Sequence, residues 1–153
     1  MVEIYIDADA CPVKDETLRV AARHDLKTYL VSDGGIRPRP HPLVELVIVA
    51  QGADAADDWI AEQIQPADIC VTNDIPLAAR CLERGALALK PNGQPFTENA
   101  IGMALATREL MQGLRESGKI TGGPRPLSKA DRSAFLNRLE TTVQAAKRQR
   151  DRV

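Results

Sequence analysis

The chain has 153 residues, 44% hydrophobic and 27% charged, with 20 Lys/Arg against 21 Asp/Glu. That length is one ordinary domain, able to bury roughly 68–70% of its unfolded surface without help from disulfides. Three cysteines, Cys11, Cys70 and Cys81, with no C-x-x-C pair, suit a reduced cytoplasmic compartment and argue against a zinc site; nothing resembles a signal peptide and no stretch could span a membrane.

The first predicted element is the strand "VEIYI" (2–6), in which Ile4 and Ile6 flank Tyr5, and it runs straight into "DADACP". An extended continuation would set the carboxylates of Asp7 and Asp9 on one side, about 6.6 Å apart. At an effective dielectric near 20 such a pair repels by about 2.5 kcal/mol. The acids must then splay into water, share a proton, or hold a cation between them.

"CPVKDETLRVAARHD" follows as an amphipathic helix with Pro12 near its start, and "KTYLV" (27–31) as the second strand. "SDGGIRPRPHP" (32–42), with two glycines and three prolines, reads as a loop. It carries Arg37, Arg39 and His41, and serves either as a stiff surface connector or as an active-site flap. "ELVIVA" (45–50), "DICVT" (68–72) and "ALALK" (86–90) are further strands, separated by the helical patterns "DAADDWIAEQI" and "IPLAARCLERG", the latter stopping at Gly85. This alternation predicts an α/β fold: an open three-layer sandwich with a mostly parallel five-stranded sheet and helices on both faces.

After Pro95 the pattern turns helical. "TENAIGMALATRELMQGLRESG" starts at a Thr97 cap, "KITGGPRP" interrupts, and "SKADRSAFLNRLETTVQAAKRQR" restarts with Ser128 and Asp131 in a capping arrangement and Phe135, Leu136, Leu139 and Val143 along one stripe. Residues 97–153 are expected to pack on the sheet as a helical extension of a single domain, 1–153. Charge divides with them: residues 1–96 hold 9 basic and 15 acidic side chains, and residues 97–153 hold 11 and 6. An acidic front and a basic back suit a cation-requiring centre beside a phosphate-attracting surface, although "AAKRQRDRV" also reads as a solvated helix end.

Acids gather where ligands bind in such a sheet, outside the carboxyl ends of the strands. Asp7 ends the first strand, Asp74 follows the fourth, and Asp54, Asp57 and Asp58 open the helix before it. Each has a plainer use: Asp54 and Asp74 as helix caps, Asp57 or Asp58 in the first turn, Asp9 as a cap for the helix after Pro12. If strands one and four are neighbours, however, three or four of these carboxylates converge, at a repulsion on the order of 10 kcal/mol. A divalent cation relieves it, and all-oxygen ligation favours Mg²⁺ or Mn²⁺. Of the adjacent pair, Asp57 is the slightly favoured ligand. With only His24 and His41 in the chain, a histidine site has little to draw on.

"YIDADACPVKDE", "GADAADDWIAE", "VTNDIPLAARCLERGA" and "TGGPRPLSKADRSAFLNRL" together resemble the YaiI/YqxD family of bacterial proteins, over nearly the whole chain. More distantly, the motif order is similar to PIN-like nucleases: an Asp ending the first strand (Asp7), an acid-rich helix start ("ADAADDWIA"), and a T-x-D ending the fourth (Thr72 and Asp74). That resemblance implies a PIN-like fold and cleavage of phosphodiester bonds in RNA or single-stranded nucleic acid with Mg²⁺ or Mn²⁺. Asp7, Asp9, Asp57, Asp58 and Asp74 would be the catalytic acids and, with Asp54, the metal ligands; Lys14, Arg37, Arg39, Thr72 and Asn73 would contact substrate. The chain departs from the nuclease pattern in offering no acid after Asp74 until Glu83, and a loop instead of a helix between strands two and three. Two other readings stand beside this one. A haloacid dehalogenase-type phosphatase also opens on D-x-D, though with Thr or Val where this chain has Cys11, and a non-catalytic module could bind RNA or protein through the basic half.

Overall fold

The computed structural model describes residues 1–34, 41–51, 54–103 and 127–151. One sheet is built from β1 (Glu3–Asp7), β2 (Lys27–Ser32), β3 (Val44–Ile48), β4 (Ile69–Val71) and β5 (Leu87–Leu89). Their spatial order is β3-β2-β1-β4-β5, and every neighbouring pair is parallel. The chain leaves the β3 edge and re-enters beside β1, so the topological switch point lies between β1 and β4.

Alternation along β1 explains the layers. Ile4 and Ile6 enter a core with Val20 of α1 (Lys14–Arg23) and with Phe135, Leu139 and Val143 of the last helix (Lys129–Asp151). Tyr5 points the other way, into a core with Ile60 of α2 (Ala55–Gln63) and Leu77 and Cys81 of α3 (Ile75–Glu83). Burial on both faces is what makes the central strands almost continuously apolar. α3 ends as its sequence suggests: Gly85, at φ +82°, lets its own amide reach Leu82 O and that of Ala86 reach Cys81 O. The three cysteines are free and buried. No helix among the described residues is long and apolar enough to cross a membrane.

The last helix opens with a reciprocal cap, Ser128 N donating to Asp131 and Asp131 N to Ser128 Oγ. Its far end is strapped to the opposite edge of the sheet from the strand carboxyl ends. Arg150 donates to Asp68 Oδ1 at 2.9 Å, to Met1 O at 3.2 Å and to Pro66 O. Lys147 Nζ meets His24 Nδ1 at 3.1 Å, while His24 Nε2 meets Glu140 at 2.6 Å. Much of the basic tail is thus occupied in holding this helix down.

One local expectation differs from the fold. The chain does not stay extended through Asp9: after Asp7 it tightens into a 3₁₀ turn, Ala8–Ala10. α1 begins at Lys14, two residues after Pro12, and Lys14 Nζ bonds the carbonyls of Ala8 (3.1 Å) and Cys11 (2.9 Å), tying that turn to the helix start. Of the expected helix after Thr97, residues 98–103 are helical, with Thr97 Oγ1 accepting from Ala100 N at 3.0 Å. The rest, through residue 126, lies outside the described residues. So do Arg37 and Arg39 in the loop from β2 to β3, whose far end is pinned by Leu43 N donating to His41 Nδ1.

Candidate active site

The site grows from the register of β1 and β4. Ile6 pairs with Val71, which leaves Asp7 and Thr72 as lateral neighbours at the carboxyl edge. Thr72, fully buried, donates its hydroxyl to Asp7 Oδ2 at 3.0 Å and accepts Asp74 N at 2.9 Å. Asp74 in turn caps α3, its Oδ1 accepting Leu77 N at 2.8 Å with Pro76 in the first turn. One hydroxyl therefore fixes two acids that arrive on different strands.

α2 brings the third. Burial, then the charges of Asp74 and Asp7, then a hydrogen bond with Asp74 push the Asp57 carboxyl up from 3.8 to about 7, and Asp54 adds to the rise. Asp7 is raised too, by burial first, with Asp74 and Asp9 adding and the Thr72 bond opposing. Asp7, Asp57 and Asp74 are hence brought together. Asp58 is not: exposed on the neighbouring face of α2, it pairs with Arg80 of α3 at 2.7 Å. Asp54 takes the N-cap position of α2 without bonding it through its side chain, and stays exposed at the rim. Asp9 accepts from Ser32 Oγ at 2.7 Å and Asp33 N at 2.9 Å, so it ties the 3₁₀ turn to the end of β2; it is not a cap for α1.

Among the other candidates, Lys14 is half-buried and engaged with the backbone of the turn, and Asn73 is exposed between Thr72 and Asp74. Lys90, which the sequence reading did not single out, sits one strand over from Thr72: Val71 pairs with Leu89, and Thr72 N donates to Leu89 O. The available signal was its place as the last residue of "ALALK", the strand-end position that marks Asp7.

Among the described residues, no group of three or more His, Cys, Asp or Glu side chains is arranged to hold a metal ion. Mg²⁺ commonly uses one or two carboxylates and completes its shell with water and substrate phosphate. Asp57 and Asp74, near enough to each other and to Asp7 for the two neighbouring charges to raise Asp57, are a donor set of that chemistry.

The family model described as "Uncharacterized BCR, YaiI/YqxD family" matches residues 5–145, from Tyr5 in β1 into the last helix, and so encloses every one of these acids. The chain is similar to the "UPF0178 protein" of Parvibaculum lavamentivorans, 60% identical over 148 residues, 97% of each chain. It is 57% identical over 150 residues to "UPF0178 protein RPA2191" of Rhodopseudomonas palustris, covering 98% of this chain and 95% of that one. To "UPF0178 protein amb2838" of Paramagnetospirillum magneticum it is 57% identical over 148 residues, 97% and 98% of the two chains. No solved structure matches. With a family match across nearly the full sheet and relatives this similar end to end, the chain belongs to the YaiI/YqxD family.

Proposed function

We propose that this protein is a divalent-metal-dependent phosphodiesterase acting on RNA or another single-stranded nucleic acid. The observation that carries the reading is the meeting of three acids from three segments at the β1/β4 switch point, two of them held by the one buried hydroxyl of Thr72. Independent helix caps have no reason to share a crevice. Asp74 combines the two uses, capping α3 with one oxygen while its charge bears on Asp57.

Mg²⁺ or Mn²⁺ held by Asp57 and Asp74, with Asp7 behind them, would supply Lewis-acid polarisation of a phosphoryl oxygen and an activated water. The chain's own contribution is positional. Thr72 fixes one oxygen of Asp7 and leaves the other for the site, and Asp57, poised near neutrality, can take up or release a proton at its carboxyl. Exposed Asn73 is placed to meet substrate at the rim.

Phosphatase chemistry of the D-x-D kind would ask Asp9 for a free acid, yet both of its oxygens already accept hydrogen bonds. Binding through the basic half would draw on its cations, of which Arg132, Lys147 and Arg150, among the described residues, are already engaged within the fold. The test is cleavage of end-labelled single-stranded RNA in Mn²⁺ or Mg²⁺ by wild type, Asp7→Asn and Asp74→Asn. Loss of cleavage in both variants is expected; equal rates in all three overturn the reading.

A further inference from the structure

Beyond the acids, the same edge of the sheet carries a recess of about 390 Å³ whose walls include Lys90, Gln94, Phe96 and Thr97. Its size falls in the range of small-ligand pockets. Its position follows from register. Cys70 and Ala88 face the α2/α3 core, Val71 and Leu89 the opposite one, so Thr72 and Lys90 both return to the α2/α3 side, where Asp57 and Asp74 lie.

Lys90 is held there by the chain that follows it. Lys90 N donates to Gln94 O and Gly93 N to Lys90 O, turning the backbone so that Phe96 N reaches Ala88 O and Phe96 comes under the ammonium, 5.5 Å from Nζ to the ring centroid. Among the described residues the Lys90 ammonium meets no carboxylate, unlike Arg80, Arg132 and Arg150. A half-buried cation with a ring beneath it, a recess beside it and no carboxylate partner among the described residues is suited to an anionic ligand from solution. Gln94 and the Thr97 hydroxyl, whose oxygen accepts Ala100 N, add polar groups that suit a sugar or base edge.

We propose that this recess is a nucleotide subsite, in which Lys90 grips the backbone phosphate next to the one presented to Asp7, Asp57 and Asp74. The choice of substrate class rests on the phosphodiesterase reading. A phosphate there positions a strand across the acids without reading its sequence, and it accounts for how so acidic a crevice could take a polyanion.

The test is binding of a fluorescent oligouridylate by anisotropy, in EDTA and across a range of salt, for wild type, Lys90→Ala and Lys90→Arg. Losing one phosphate contact should weaken binding about threefold or more and make the salt dependence shallower by about 0.7 in the log–log slope, with Lys90→Arg retaining both. Uridine monophosphate should compete poorly; competition equal to that of the oligonucleotide, phosphate for phosphate, overturns the strand subsite in favour of a free-phosphate site. Unchanged affinity and slope in Lys90→Ala overturn it as well, as does a wild type that does not bind the probe. Cleavage is scored separately with Mn²⁺ added: binding that depends on Lys90 without cleavage sinks the phosphodiesterase reading and leaves the subsite, and cleavage indifferent to Lys90 sinks the subsite alone.

Discussion

Thr72 and Asp7 share a buried hydrogen bond of 3.0 Å, and the same Thr72 oxygen receives the amide of Asp74. Thr72→Val keeps the shape and removes both. It leaves a buried carboxylate without its donor and an amide without its acceptor, a cost of about 2–4 kcal/mol, or roughly 2–4 °C of melting temperature for each kcal/mol in a chain this long. Thr72→Ser should recover most of the loss. A valine variant that melts with wild type would mean that the hydroxyl merely fills space.

Why these partners escape a reading of spacing is a matter of which contacts cross between elements. Asp7 and Asp74 are legible because each closes an apolar strand before a helix start, and the β1/β4 neighbourhood follows from a central first strand. Asp57 and Asp58 are only weakly separable by sequence, Asp57 being slightly favoured, since both lie in the first turn of α2. The packing of Ile60 and Ala61 into the core sets the phase of α2, and Asp58 then meets Arg80 on the exposed side. Asp9 finds Ser32 only because Asp7 pairs with Val31 in the β1/β2 register. The role of Arg150 is hidden for the same reason, because it answers an acid, Asp68, on the far side of the chain.

That strap has its own consequence. Asp68 is nearly fully buried and accepts from Glu3 N and Gln65 N, each at 3.0 Å, as well as from Arg150. Arg150→Met should lower stability by about 1 kcal/mol, because the two amides still satisfy Asp68. It should leave the salt dependence of oligonucleotide binding unchanged. A shallower slope would return the tail to the nucleic-acid surface.

Gly93 marks where the turn after β5 meets the last helix. At φ +94° it sits in the left-handed region, and a Cβ there would lie 3.0 Å from Ala134 O and 3.1 Å from Phe135 Cα. Gly93→Ala meets both penalties, together about 1–3 kcal/mol. Since this turn also seats Lys90 over Phe96, oligonucleotide binding should weaken along with the lower melting temperature. Thermal melting of the variant beside Gly102→Ala, where added bulk meets nothing within 4 Å, checks that the cost is local.

The crowding of carboxylates gives stability a pH dependence. Asp57 has its pKa raised on folding, from 3.8 to about 7, by burial first and by Asp74 and Asp7 next. Folding therefore takes up a proton, and this contribution is fully present below about pH 4 and lost as pH rises through about 7. Without added metal, Asp57→Asn should melt with wild type near pH 4 and progressively above it up to pH 7, the gap then staying constant. A gap that is absent at pH 8 would show that Asp57 is not crowded.

Divalent metal should reverse that penalty, and the two neighbouring acids of α2 separate a specific effect from general screening. An ion bound only by the folded chain stabilises it by about 2.7 kcal/mol at a hundredfold excess over its dissociation constant, so Mn²⁺ should raise the melting temperature of wild type. Asp57→Asn and Asp74→Asn remove donors from the crevice and should lose most of that rise. Asp58→Asn gives up only its exposed pair with Arg80 and should keep it. Because binding must displace the Asp57 proton, calorimetry should find proton release below neutrality and an affinity that weakens about tenfold for each pH unit below about 7. If Asp58→Asn abolishes the rise while Asp57→Asn preserves it, the ion is collecting on the outer face of α2 and the crevice is no metal site.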